Sequence, residues 1–193
     1  MSTLMSLKTQ PTLADDLQLA RKARADAEAF AELYRRHITR VYRYHMADTA
    51  NVKDAEDLTS QTFMAALEGI RSYRGSGSFA AWIMGIAARK RALFFRGSRP
   101  EIPLDAALHI PTPGLPTDKA ATQRLQMERV RHALRQLSPE RSEALILYYF
   151  GGLNAAEAGC VLGKSEAAVK MLLSRGLRDL RERTSLLLEV DYE

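Results

Sequence analysis

The sequence predicts an all-α protein, two small helical domains joined by a proline-rich linker. Three observations carry this. Apolar residues recur at helical spacing along nearly the whole chain. No stretch alternates β-branched and polar residues convincingly, so no strand is expected. Residues 97–118 hold Pro100, Pro103, Pro111, Pro113 and Pro116 together with Gly97 and Gly114, and proline resists helix by removing a donor. The expected division is a flexible N-terminus at 1–12, a domain at 13–97, a semi-extended linker at 98–120, a second domain at 121–185 and a tail at 186–193.

The elements follow in order. A first helix is expected over 13–25. A second, over 27–48, has Asp26 as its N-cap. In it Phe30, Leu33, Tyr34, His37, Val41, Tyr44 and His45 form one stripe. A third runs over 53–70, with Ala55, Leu58, Phe63, Ala66, Leu67 and Ile70 as its apolar face. The segment 71–78 carries two glycines and three serines and reads as a loop. Ser78 caps a fourth helix over 79–96, in which Phe79, Trp82, Ile83, Ile86, Lys90, Leu93 and Phe94 share a face; Trp82 therefore reads as core.

Beyond the linker a helix is expected over 121–137, with Met127, Val130, Ala133, Leu134 and Leu137 as its stripe. Ser138-Pro139 marks the start of the next, an N-cap followed by proline at the first position, and it should run to Phe150. Asn154 with Glu157 makes a capping-box start for a short helix that Gly163 ends. Ser165 caps the last helix, over 165–183, which the Leu186-Leu187-Leu188 run could extend.

Charge is unevenly placed. The net charge is +5, yet residues 71–100 alone hold Arg71, Arg74, Arg89, Lys90, Arg91, Arg96 and Arg99 with no acid, a local +7. Tyr73, Phe79, Trp82, Phe94 and Phe95 are interleaved, which suits a surface that follows phosphates and stacks bases. Cys160 is the single cysteine, so no intramolecular disulfide can form; a reducing, cytoplasmic setting and a small buried thiol are expected. The four histidines lack metal-ligand spacing, and no apolar run of 18 residues exists, so neither a metal, a cofactor nor a membrane span is expected. No nucleophile–base pair or phosphate-cradling glycine loop stands out, so an enzyme is not the expectation.

The last two helices joined by Gly163-Lys164 form a helix-turn-helix pattern. In the final helix Val169, Leu172, Leu173, Gly176, Leu177 and Leu180 make a buried stripe. Lys170, Met171, Ser174, Arg175, Arg178 and Arg181 lie opposite. Such a helix packs on its own domain and still presents cations to a major groove.

These residues resemble a known family. The run from Ser138 to Leu153, Ala156-Glu157 to Gly163, Ser165 to Lys170 and Leu173 to Arg181 is similar to region 4 of bacterial extracytoplasmic-function (ECF) sigma factors, sigma-70 family, group 4. Asp26 to Phe30 with Leu33-Tyr34 resembles region 2.1, and Asp54 to Phe63 resembles region 2.2. Phe79 to Arg89 resembles regions 2.3 and 2.4. The resemblance implies a transcription initiation factor that binds core RNA polymerase and directs it to promoter DNA. It implies docking on polymerase through Asp54, Glu56, Asp57, Gln61 and Phe63. It implies that the minus-ten element is melted and read around the 72–78 loop, by Arg74, Ser76, Ser78, Arg89, Lys90 and Arg96. The minus-thirty-five element would be read by Ser165, Lys170, Met171, Ser174, Arg175 and Arg178. The family usually has an anti-sigma factor as a further partner.

Four sites depart from the family's pattern. Lys90 stands where Asn is common, and Ala158-Gly159 where Ile-Ala is usual, which should loosen the supporting helix. Ala167-Ala168 replaces Gly-Thr, and Met171-Leu172 replaces Ser-Arg. They bear on the promoter sequence rather than the class. The alternative is a helix-turn-helix regulator that is not a sigma factor. It would need a receiver or ligand domain, and residues 13–97 show no βαβ alternation.

Overall fold

The computed structural model describes residues 13–97 and 129–190. Residues 1–12, the linker at 98–120, the start of the 121–137 helix and the last three residues lie outside the described residues. The described residues are all helical or turn. They form α1 (Leu13–Lys22), α2 (Ala27–Thr49), α3 (Val52–Gly69) with a 3-10 turn (Ile70–Ser72), and α4 (Phe79–Gly97). Then come α5 (129–135), α6 (Pro139–Leu145), a π-helical turn (Ile146–Phe150), α7 (Ala155–Leu162) and α8 (Glu166–Val190).

Local chemistry sets the helix starts. The Glu28 amide donates to the Asp26 carboxylate at 2.9 Å, as expected of the N-cap. Asn51 accepts from the Asp54 amide at 3.2 Å and starts α3 one residue earlier than expected. Between α2 and α3, Ala50 takes the left-handed conformation at φ 49° and its amide bonds back to Met46. Ser78 accepts from the Ala81 amide at 3.1 Å. Ser138 differs. It is extended with Pro139 behind it, but its hydroxyl makes no capping bond.

Two helix ends depart from expectation. α6 does not continue regularly to Phe150. The Gly151 amide reaches the Ile146 carbonyl at 2.9 Å, which widens the turn to π geometry. Glycine permits it, since a Cβ at Gly151 would stand 2.7 Å from the Leu147 carbonyl oxygen. α8 runs on to Val190, so most of the expected 186–193 tail is helix. No glycine or proline follows Arg183 to stop it.

α2 lies at the centre, packed by α1, α3 and α4. The π-helical turn packs on α2 and α7 packs on α4, so the segments before and after the linker share one core. Leu33, Val41, Phe79, Ile83 and Met84 meet Leu145, Ile146, Leu147 and Val169 there. Burying each such side chain stabilises the fold by about 1.5–3 kcal/mol. A single hydrogen bond contributes about 1 kcal/mol net. Apolar packing therefore supplies most of the attraction, and polar contacts set the register.

Candidate nucleic-acid interface

The helix-turn-helix is built by its turn. Asn154 accepts from the Glu157 amide at 2.9 Å, and Glu157 accepts from the Asn154 amide at 3.0 Å, a complete capping box. Gly163 ends α7 in the left-handed region at φ 65°. The Lys164 amide then reaches back to the Gly159 carbonyl at 2.9 Å. A Cβ at Gly159 would stand 2.6 Å from the Lys164 carbonyl oxygen. The Ala158-Gly159 pair, expected to loosen α7, instead lets the turn close tightly, with Ala158 fully buried.

α8 divides as its periodicity predicts. Val169, Leu173 and Gly176 are buried, while Lys170, Met171, Ser174, Arg175, Arg178 and Arg181 are exposed. Gly176 fits against Leu145 of α6, where a Cβ would come within 2.9 Å. Ser165 accepts from the Ala168 amide at 3.2 Å, so its hydroxyl holds the helix start. Lys170 pairs with Glu166 at 2.6 Å. Cys160, expected to be buried, is exposed. α7 packs through Ala155, Ala158 and Gly159, and the helical turn carries residue 160 outward.

On α4 and its loop, Arg74, Ser76, Arg89 and Arg96 are exposed and Lys90 is half-buried. Ser78 is not available in the same way. It is buried and donates to Glu157 of α7 at 2.5 Å while accepting from Ala81. The loop is held from below. The Tyr73 hydroxyl donates to the Gly77 carbonyl at 2.9 Å, and the Arg24 guanidinium donates to the Tyr73 carbonyl at 2.9 Å. Trp82 stacks among Tyr73 and Phe79 with both centroid distances 5.4 Å, as its place on the apolar stripe predicts. Two grooves of about 400 and 370 Å³ flank it, one toward Ser76, Gly77 and α7, the other toward Ser72, Lys90 and Leu93.

Arg91, counted in the sequence as part of the basic stretch, is withdrawn from it. Its guanidinium donates to Asp48 of α2 at 2.5 Å and to Glu143 of α6. The Tyr44 hydroxyl donates to the same Glu143 at 2.5 Å. Burial alone would lower the Arg91 pKa, but Tyr44, Asp48 and Glu143 outweigh it and hold the guanidinium charged. Burial, then Glu143, push the Tyr44 phenol well above its ordinary value. Next to it burial, reinforced by Arg91, pulls His45 down to about 4. Sequence reasoning missed this cluster. Its signal was Arg91 standing at the next i+4 position after Ile83 and Ala87, both buried.

On α3, Glu56, Asp57 and Gln61 are exposed and Asp54 is half-buried. Phe63 does not belong with them. It is 4% exposed, edge-on to Tyr34 at 4.6 Å, because the stripe that buries Ala55 and Leu58 carries it into the core. Leu67, placed on that stripe by its spacing, is instead 50% exposed, and Met64 is 64% exposed. Asp57, Gln61, Met64 and Glu68 fall at i, i+4, i+7 and i+11, one outward face that the sequence could have shown.

Known proteins match the chain over both helical regions. A model described as sigma-70 region 2 matches residues 33–99, and one described as sigma-70, region 4 matches residues 127–180. The chain is 33% identical over 168 residues to the ECF RNA polymerase sigma factor BldN of Streptomyces coelicolor, a match over 85% of this chain and 64% of BldN. It thus spans somewhat under two thirds of that relative. RNA polymerase sigma factor CarQ of Myxococcus xanthus is 30% identical over 168 residues, covering 86% of this chain and 93% of CarQ. The solved structure of CnrH in complex with the cytosolic domain of CnrY aligns with a TM-score of 0.70 at 25% identity, over 92% of this chain and 99% of that chain; CnrH is a sigma factor of Cupriavidus metallidurans.

Proposed function

Because the chain belongs to the sigma-70 family as an ECF sigma factor, a class of promoter-directing initiation factors, we propose a division of that work among its three exposed surfaces. The α3 face of Glu56, Asp57 and Gln61, extended by Met64, docks on core RNA polymerase. Acidic and amide groups around an apolar centre suit a basic helical partner. The 73–78 loop with Arg74, Ser76, Arg89, Lys90 and Arg96 opens and holds the minus-ten strand. The α8 face of Lys170, Met171, Ser174, Arg175 and Arg178 reads the minus-thirty-five element, in the cytoplasm where polymerase works.

One observation supports this reading above the others. Two exposed cationic surfaces stand on separate elements, α4 and α8, each matched by its own sigma-70 region. With the segments before and after the linker sharing one core, α7 borders the loop that would receive a melted base. The two promoter elements lie about 25 base pairs apart, roughly 85 Å at 3.4 Å per base. The 23 residues of the linker at 98–120 can span at most about 80 Å. With the breadth of the two units added, that reach allows them to part and grip both elements. An anti-sigma factor as partner, in the way that CnrH is held in complex with the cytosolic domain of CnrY, would act by favouring one arrangement over the other.

Run-off transcription with core polymerase, on a library of upstream regions, tests the whole reading. Transcripts starting at a defined distance from a shared two-part sequence are expected. No transcript above the core-only background would overturn it.

A further inference from the structure

We infer that the recognition helix reads thymine through its methyl group, with Met171 as the specificity-determining side chain. This rests on the minus-thirty-five reading of α8 and names the base chemistry it recognises. A groove of about 350 Å³ opens on the outer face of α8, lined by Lys164, Ala167, Ala168, Met171, Leu172 and Arg175. Met171 is 52% exposed at its centre. Met171 is a large apolar side chain on a face whose other exposed residues are mostly charged, and its neighbours explain what it can meet.

Reading guanine takes a donor fork, adenine an amide, and cytosine an acceptor; thymine alone offers a methyl group in the major groove. The polar groups at the start of α8 already have partners within the chain, and the groove itself is lined mainly by apolar side chains. Ser165 is engaged with the Ala168 amide, Glu166 with Lys170 at 2.6 Å, and Lys164 with Glu140 at 2.8 Å. Ala167, Ala168 and Met171 have no polar side-chain atom at all. Arg175, one turn on from Met171, and Arg178 supply the charge complementarity to flanking phosphates. The apolar patch thus sits inside a cationic rim, which fits the edge of a thymine within a duplex rather than an apolar protein surface.

The experiment uses the full chain with core polymerase and a promoter recovered from the upstream library. Each thymine of the upstream element, on either strand, is replaced singly by deoxyuridine, which removes only the methyl group. At one or two positions holoenzyme binding should weaken about fourfold, the effect of burying one methyl group. Met171→Ala should abolish that sensitivity, whereas Arg175→Ala should weaken binding but keep it. An upstream element without thymine, or one whose thymines all tolerate deoxyuridine, overturns the methyl reading and leaves the helix assignment standing. If deleting the whole upstream element leaves binding unchanged, the helix assignment fails as well.

Discussion

Tyr44 and Glu143 lie 99 residues apart in the chain, yet the Tyr44 hydroxyl donates to the Glu143 carboxylate at 2.5 Å. The bond joins α2 to α6, across the segment that separates the two sigma-70 regions. Arg91 shares the carboxylate and holds Asp48 as well, so four side chains from three helices form one network.

Removing one member should cost more than a surface ion pair does. Glu143→Ala leaves Arg91 with Asp48 alone and should lower the unfolding free energy by about 1–3 kcal/mol. Glu143→Ala with Asp48→Ala strands a largely buried guanidinium, and the loss should reach about 3–5 kcal/mol. Urea unfolding of the single and double variants reads the coupling. Strictly additive losses would show that the two carboxylates do not share Arg91.

His45 makes stability depend on pH. Its folded pKa is near 4, against 6.5 when exposed, because burial opposes the charged form. The unfolded chain therefore takes up the proton first. The stability held above pH 6.5 is lost as pH falls toward 4, by about 2 kcal/mol at pH 5. His45→Gln should flatten that part of the urea-midpoint profile. An equally steep profile in the variant would mean that other groups titrate there.

Docking on polymerase should follow the exposed face of α3. Asp57→Ala with Gln61→Ala is expected to weaken core binding about tenfold, or ~1.4 kcal/mol. Adding Met64→Asp should weaken it further without lowering the melting temperature, since Met64 is exposed. Phe63→Leu should do the reverse, lowering stability and sparing affinity. Normal co-purification of core polymerase by the triple variant would remove α3 from the interface.

Gly159→Ala should strain the turn between α7 and α8, because its Cβ would press on the Lys164 carbonyl. A loss of about 1–3 kcal/mol is expected from such overpacking. Thermal unfolding measures it, and an unchanged midpoint would mean that the turn relaxes.

Arg175→Ala and Arg178→Ala should each weaken upstream-element binding about equally across sequences and lower the salt slope by about 1, as loss of a phosphate contact does. Affinity measured across a salt series reads it, and an unchanged slope with a loss tied to one base pair would overturn the phosphate assignment.

Sequence alone determined the helical class, nearly every helix start and the two-faced last helix. Those features depend on signals acting within about four residues, such as the Asp26 cap, the Asn154–Glu157 box, Gly163 and the 3.6-residue spacing of Val169, Leu173 and Gly176. Tertiary structure decided which residues on those helices are available. Arg91 belongs to Asp48 and Glu143 rather than to phosphate, Ser78 to Glu157, and Phe63 to Tyr34. Cys160 and Leu67 face out despite apolar character. Periodicity says which face of a helix is buried on average. It does not say which partner from a distant helix arrives there, because that partner is chosen by packing among segments tens of residues apart.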